Sequence, residues 1–353
     1  RDAALGSVTS TASQVTADAL GAMSVTLAKG TVVDLSAGTG LTAATLTSTT
    51  GKIDVDTTSG ALKITTATAK TLLDAQSVAG DVSVGTFTSA TAALVSGNDM
   101  TVNTGTTSGE LRATVGRNAS LGTLTSTADK VRADAAGSLT IATAKASAEV
   151  ALSGAGITAT TLTSTNAFVN VDSSLAGSVN VKTANAKTYF NVQSYGAMTI
   201  GTFGVTAGYA KLLSGAAMNI TTGTSSGYMD IDGVSNVALG NLTSSGGDIN
   251  AQSSGGGMTF GTLRANSQVY LRAAKAWSNG QAINGTALYA SNGNLDVLAL
   301  SGGITVGTLS ATAASSIITN AGSIKISSVL GLTKPNLTLT ATGGTKAVPV
   351  AFR

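Results

Sequence analysis

The segment TLTSTTGKIDVDTTSG, Thr45 to Gly60, returns as TLTSTADKVRADAAG from Thr123 and as TLTSTNAFVNVDSSLAG from Thr161. Leu46, Leu124 and Leu162 stand 78 and then 38 residues apart, and Ile53, Val131 and Val169 keep the same two gaps, as do Asp56, Asp134 and Asp172. Most other letters change while the register holds. A structural constraint with a period near 39, or half of it, acts on this chain.

The half-period shows in the strands. Apolar-x-apolar pairs mark strands with one buried face. Such pairs begin at Met23, Leu62, Val82, Met100, Leu139, Val179, Met198, Met218, Val237 and Met258, continue at Ile304 and Ile324, and have weaker members at Leu41, Ala119 and Ile157; the steps run from 18 to 22 and average near 20. A second set lies about ten residues downstream, as at Val33/Leu35, Ile53/Val55, Val131/Ala133, Phe190/Val192 and Val269/Leu271. Every second unit carries a larger apolar residue after a small pair, at Leu46, Phe87, Leu124, Leu162, Phe203 and Leu242. Two alternating coil types therefore turn a period of 20 into one of 39.

A repeat of about 20 residues cannot bury a core alone and must stack on its neighbours. With β-branched strands, glycine turns and no helical spacing, the expected fold is all-β: a parallel β-helix (β-solenoid) of about 20 residues per coil and about 16 coils, each with two or three strands. Residues 1–20 read as an entry coil or partial repeat, and 21–330 as the β-helix repeats. An irregular loop is expected near 276–293, because Trp277 to Ile304 spans 27 residues. Residues 331–353 read as the end of the regular repeat or a linker, since Ile324 to Leu337 is only 13. Both prolines, Pro335 and Pro349, fall in that last segment, which suits interior strands that each need their backbone N–H.

The composition fits. The 353 residues are 42% hydrophobic but only 10% charged and 4% aromatic, with 43 Gly and 2 Pro, a mix that favours strands and tight turns. Mean hydropathy is +0.29. The net charge of +3 is spread over scattered cations such as Lys29, Lys63, Lys130 and Arg264. Basic clusters interleaved with aromatics, the mark of a nucleic-acid site, are missing from the sequence. No apolar run approaches a membrane helix, and the start, RDAALGSVTS, shows no secretory leader. The chain reads as a mature or excised segment of something longer.

Histidine and cysteine are both absent. That removes Ser-His-Asp and Cys-His catalysis, disulfides and most zinc sites. No catalytic residue, cofactor or cofactor-binding residue is expected. Paired carboxylates remain as acid–base candidates: Asp54 with Asp56, and Asp230 with Asp232, each pair flanking an inward residue and so sharing the outer face. Asp34, Asp54 and Asp74, spaced by 20, should stack as an outward column. Stacked like charges repel, so a cation could bridge them; the plainer reading is a solvated polar column that continues as Arg132, Asn170, Asn191 and Lys211. A glycan-cleaving β-helix also needs aromatics, and Tyr189, Tyr195, Tyr209, Tyr228, Tyr270 and Trp277 gather in the second half. The Thr-rich tracts read as Ser/Thr ladders bonded between coils. A match to an ice surface is the sharper alternative, against which stand the Leu, Phe, Lys and Asp within the tracts and the alternation of coil types.

Segments such as GSLTIATAKASAEVALSGAGITATTLTST (Gly137–Thr165) resemble the β-helical repeats of the filamentous haemagglutinin family, large exoproteins of Gram-negative bacteria exported by two-partner secretion. The resemblance covers roughly residues 20–330 and rests on spacing and composition; autotransporter passenger domains are similar. It implies a right-handed helix that is not an enzyme: the shaft of a secreted or cell-surface adhesin, serving adhesion, aggregation or fibre formation in a biofilm. The implied partners are other copies, laterally or end to end, glycans or proteins of host or neighbouring cells, and an outer-membrane transporter if the chain is part of a two-partner system; no nucleic acid is implied. The alternatives are a stand-alone extracellular filament subunit and a carbohydrate-active β-helix (polysaccharide lyase or hydrolase).

Overall fold

The computed structural model describes residues 1–174, 177–277, 280–331 and 336–347. Pro335 and Pro349 lie outside the described residues, as do Ser278 and Asn279 of the expected loop. The chain forms two compact units, Arg1–Ser174 and Leu175–Arg353. Each is a parallel β-solenoid with two strands per turn. Every turn has one long strand, seven to ten residues in the regular turns, and one short strand of five or six. Each strand pairs in parallel with its equivalent one turn on, so each unit is two facing ladders. The first unit runs from the long strand Ala3–Thr9 to the short strand Phe168–Ser173, nine turns; the second runs from Val179–Ala186 to Leu337–Ala341, eight turns. The total of about 17 is one more than the repeat pattern suggests, because pairing already begins at Ala3, opposite Met23.

The long strands carry a kink. In Gly40–Ser48 the buried residues are Leu41, Ala43, Leu46 and Ser48, so two successive residues, Ala44 and Thr45, point outward. Pairing skips Ala44 and resumes at Thr45. Each long strand is thus two short ones bent at a corner, which accounts for the expectation of two or three strands per coil.

The doubled period has its cause in the core. The inward residue after the kink runs Ala28, Leu46, Ala67, Phe87, Gly105, Leu124, Ala144, Leu162 up the first unit, each paired with the next. A large side chain in one turn overlies a small one in the following turn. The fit is tight: a Cβ on Gly105 would lie 2.3 Å from the Phe87 ring, and one on Gly223 would lie 2.2 Å from Phe203. Two stacked rings would overfill a layer about 4.8 Å thick. The kink follows the same alternation. Gly122 sits where a Cβ would meet the Asn103 carbonyl oxygen at 2.1 Å, and Gly240 would meet that of Thr221 at 1.9 Å.

The threonines of the tracts fall outside this alternation. Thr45, Thr66, Thr86, Thr104, Thr123, Thr143 and Thr161 form one unbroken outward column over seven turns. Thr47, Thr68, Thr88, Thr106, Thr125, Lys145 and Thr163 form a second column beside it. The Leu and Phe within the tracts point into the core, so they do not interrupt the outer face. The expected inter-coil bonds are made past these columns, by threonines such as Thr49 and Thr127, whose Oγ1 atoms donate to the Gly30 and Thr107 carbonyls, and by serines at the strand ends. Ser48 Oγ donates to the Thr31 carbonyl at 2.7 Å, Ser126 Oγ to that of Gly109 at 2.6 Å, and Ser164 Oγ to that of Ala148. These buried hydroxyls satisfy carbonyls at the corners, where strand pairing lapses. Ser89 is an exception: a single residue, Ala90, separates its strand from Thr91–Ser96, and its Oγ is buried without a partner.

In the segment 276–293, Gln281–Ala290 is a ten-residue strand whose pairing shifts register between Gln281 and Ile283. Gly280, just before it, has a φ of +78°, a left-handed conformation that suits glycine.

Candidate functional site

The short-strand face of the second unit holds the richest outward chemistry. Tyr189 pairs with Tyr209, and Tyr228 takes the same place one turn on, immediately before Met229. The rings stack with centroids 5.6 Å and 4.7 Å apart and planes within 11° and 4°. Spacings of 20 and 19 in the sequence put one tyrosine per turn at the same point, and the ladder does the rest. Each such pair contributes about 0.5–1.5 kcal/mol beyond area burial. Tyr228 is 42% exposed. Its hydroxyl pKa is raised, first by desolvation and then by Tyr209 and Asp230.

Beside the ladder runs a polar column, Asn191, Lys211, Asp230 and Asn250, followed by Tyr270. Two residues further along each strand lie Gln193, Leu213, Asp232 and Gln252. Past that column the chain turns the corner, and two large side chains stand out of it: Tyr195, 56% exposed, and Val234, 53% exposed. Between them opens a cleft of about 270 Å³ lined also by Gln193, Leu213, Asp232 and Gln252. Partial burial in this cleft pushes the Asp232 carboxyl above the usual carboxylate range; the charge of Asp230 adds to that and Lys211 opposes it. Apolar walls with a few amide and carboxylate groups between them are the makeup of a small-molecule site. The glutamines donate and accept, and the carboxylate accepts. That set suits a ligand with both C–H faces and hydroxyls.

Of the acidic pairs, Asp230 and Asp232 flank the buried Ile231, and Asp54 and Asp56 flank the buried Val55, so both pairs project outward. Only the first lies beside aromatics. Asp34, Asp54 and Asp74 stack in register in the first unit. The cation beside them is a side chain of the protein. The Lys52 ammonium bonds to Asp54. That bond, and the charges of Asp54, Asp34 and Asp74, raise its pKa. Partial burial raises Asp74, the Asp54 charge adds to this, and Lys52 works against both. Among the described residues no three acidic groups converge to hold a metal ion. Beyond Asp74 the column turns basic at Arg112 and Arg132. Charge there is balanced sideways, by Arg132 to Glu149 at 2.9 Å and Lys130 to Glu110 at 4.0 Å.

Sequence reasoning found the tyrosines, Tyr195 among them, and Asp232, but not Gln193, Leu213, Val234 and Gln252 as their neighbours. The signal lay in fixed offsets: Gln193 and Tyr195 come four and six residues after Tyr189, and Asp232 and Val234 come four and six after Tyr228. No protein-family model matches the chain, and no curated protein or solved structure matches it significantly.

Proposed function

We propose that this chain is a non-enzymatic structural and adhesive segment of a secreted or cell-surface exoprotein, and that it binds glycans of neighbouring surfaces through the short-strand face of its second unit. Two continuous strand ladders per unit support a load-carrying shaft. With only 10% charged residues, the outer surface costs little to desolvate, which suits lateral contact with other copies. The observation that carries the adhesive part is the cleft between Tyr195 and Val234, with Asp232 and the two glutamines lining it. Tyrosine offers area at low entropic cost and is prominent at binding hot spots. Export through an outer-membrane transporter belongs to the same reading, through the resemblance of the repeats to exported haemagglutinins.

The test is binding of the 353-residue chain to an array of oligosaccharides, alongside Tyr195→Ala and Asp232→Asn. Saturable binding that both changes weaken tenfold or more supports the reading. Binding that neither change alters moves the site elsewhere. A chain that holds no glycan, attaches to no cell and does not self-associate removes the adhesin reading. Release of reducing ends that stops with Asp232→Asn would favour the carbohydrate-active alternative instead.

A further inference from the structure

Two outward columns of threonine in the first unit serve no side-chain bond within the protein, unlike Thr49 and Thr127 just past them, which bond to the preceding coil. Among the described residues, no hydroxyl of the two columns that begin at Thr45 and Thr47 hydrogen-bonds to another protein group, whereas the inward serines ending the same strands do. The residue between the two columns alternates large and small, as Leu46, Ala67, Phe87 and Gly105, while the flanking pair is threonine in six of the seven turns, with Lys145 in the other. The uniformity therefore belongs to the outer face and not to the core.

That face is a lattice. Its hydroxyls and methyls repeat at about 4.8 Å from turn to turn and at about 6.7 Å between alternate residues of one strand. Each threonine is β-branched and stiff at χ1, and each sits on a strand paired on both sides. The array is thus ordered before anything binds, which removes most of the entropic cost of ordering it. Oxygen atoms on a prism face of hexagonal ice repeat in two perpendicular directions at spacings close to these. The hydroxyls offer both donor and acceptor, and the methyls leave the intervening water no better partner than more water. We propose that the threonine face of the first unit binds crystalline water, adsorbing to the surface of ice.

The experiment is nanolitre osmometry and ice-growth microscopy on the full chain, with two single changes. Thr104→Lys puts a long charged side chain at the centre of the array. Lys63 and Lys145 already stand outward on the same sheet, so the fold should accept it, and far-UV circular dichroism checks that it does. Thr202→Lys makes the same change in the second unit, where no continuous array exists. The expected result is thermal hysteresis and faceted crystals with the parent chain and with Thr202→Lys, and loss of both to the buffer level with Thr104→Lys. A parent chain that neither shapes ice nor depresses its growth temperature overturns the proposal. So does a folded Thr104→Lys variant as active as the parent.

Discussion

The same column of backbone positions reads differently in the two units. In the first, the column beginning at Thr47 keeps threonine at Thr68, Thr88, Thr106 and Thr125. In the second, the equivalent positions are Asn185, Gly204, Thr224, Thr243, Arg264 and Tyr289, in register with one another. There the Arg264 guanidinium lies 3.9 Å over the Tyr289 ring. The ladder hydrogen bonds are alike in both. The solenoid therefore tolerates almost any residue at this outer position, and a run of threonine is not a requirement of folding. Inside, the two units agree: Phe87 over Gly105 in the first matches Phe203 over Gly223 in the second. The fold constrains the inner face and leaves the outer one to other demands.

The largest effect that tests this contrast should come from the core. Phe203→Ala empties a fully buried site and should cost about 3–5 kcal/mol, read as a lower denaturant midpoint. Next in size is Gly105→Val. Its side chain would enter space held by the Phe87 ring, and overpacking of this kind costs about 1–3 kcal/mol. Phe87→Ala placed in the same chain should recover part of that loss, a non-additivity expected of residues in contact. The neighbouring outward change Thr104→Val should stay within about 0.5 kcal/mol. If Gly105→Val unfolds at the parent's midpoint, the large-over-small account of the doubled period is broken.

The architecture was legible in the sequence because a solenoid repeats its constraint in every turn. Met23, Leu62, Val82 and Met100 announce one ladder, and Ile53/Val55 the other. The alternation of Leu46, Phe87 and Leu124 with smaller residues was visible too, but its meaning was not. It looked like an interruption of the threonine tracts, whereas it is an inward packing rule that leaves the outer face unbroken. Alternation along a strand separates the two, yet the kink at Ala44–Thr45 shifts the phase within the strand, and only coordinates locate that shift. The cleft beside Tyr195 was hidden for another reason. It draws two or three residues from each of four successive turns, and a linear reading weighs each of those short runs alone.

The short-strand faces offer a finer version of the contrast. In the second unit Lys211 stands next to Asp230 in one column, with neutral Asn191 and Asn250 on either side, so the one carboxylate has a cation as its neighbour. In the first unit three aspartates follow one another and Lys52 balances them from the side. Because the Asp74 pKa is raised on folding, the folded chain holds its proton more tightly than the unfolded one. Stability then falls as pH rises from the ordinary aspartate range through that raised value, and the penalty is full at neutral pH. Asp74→Asn should remove it, raising stability at pH 7 by about 0.2–1 kcal/mol, the scale of a like-charge pair on a sheet, with no gain in acid where the carboxyl is already protonated. Lys52→Met should act oppositely at pH 7, by a similarly small amount for a half-exposed pair. The Lys52 pKa is itself raised, so its contribution persists across neutral pH and is lost only as pH climbs through that raised value. Melting curves of the two variants at acidic and neutral pH decide the matter. Equal shifts at both would mean that neither burial, the larger cause, nor the Asp54 charge disfavours the Asp74 carboxylate in the folded chain, leaving the column no more strained than its counterpart in the second unit.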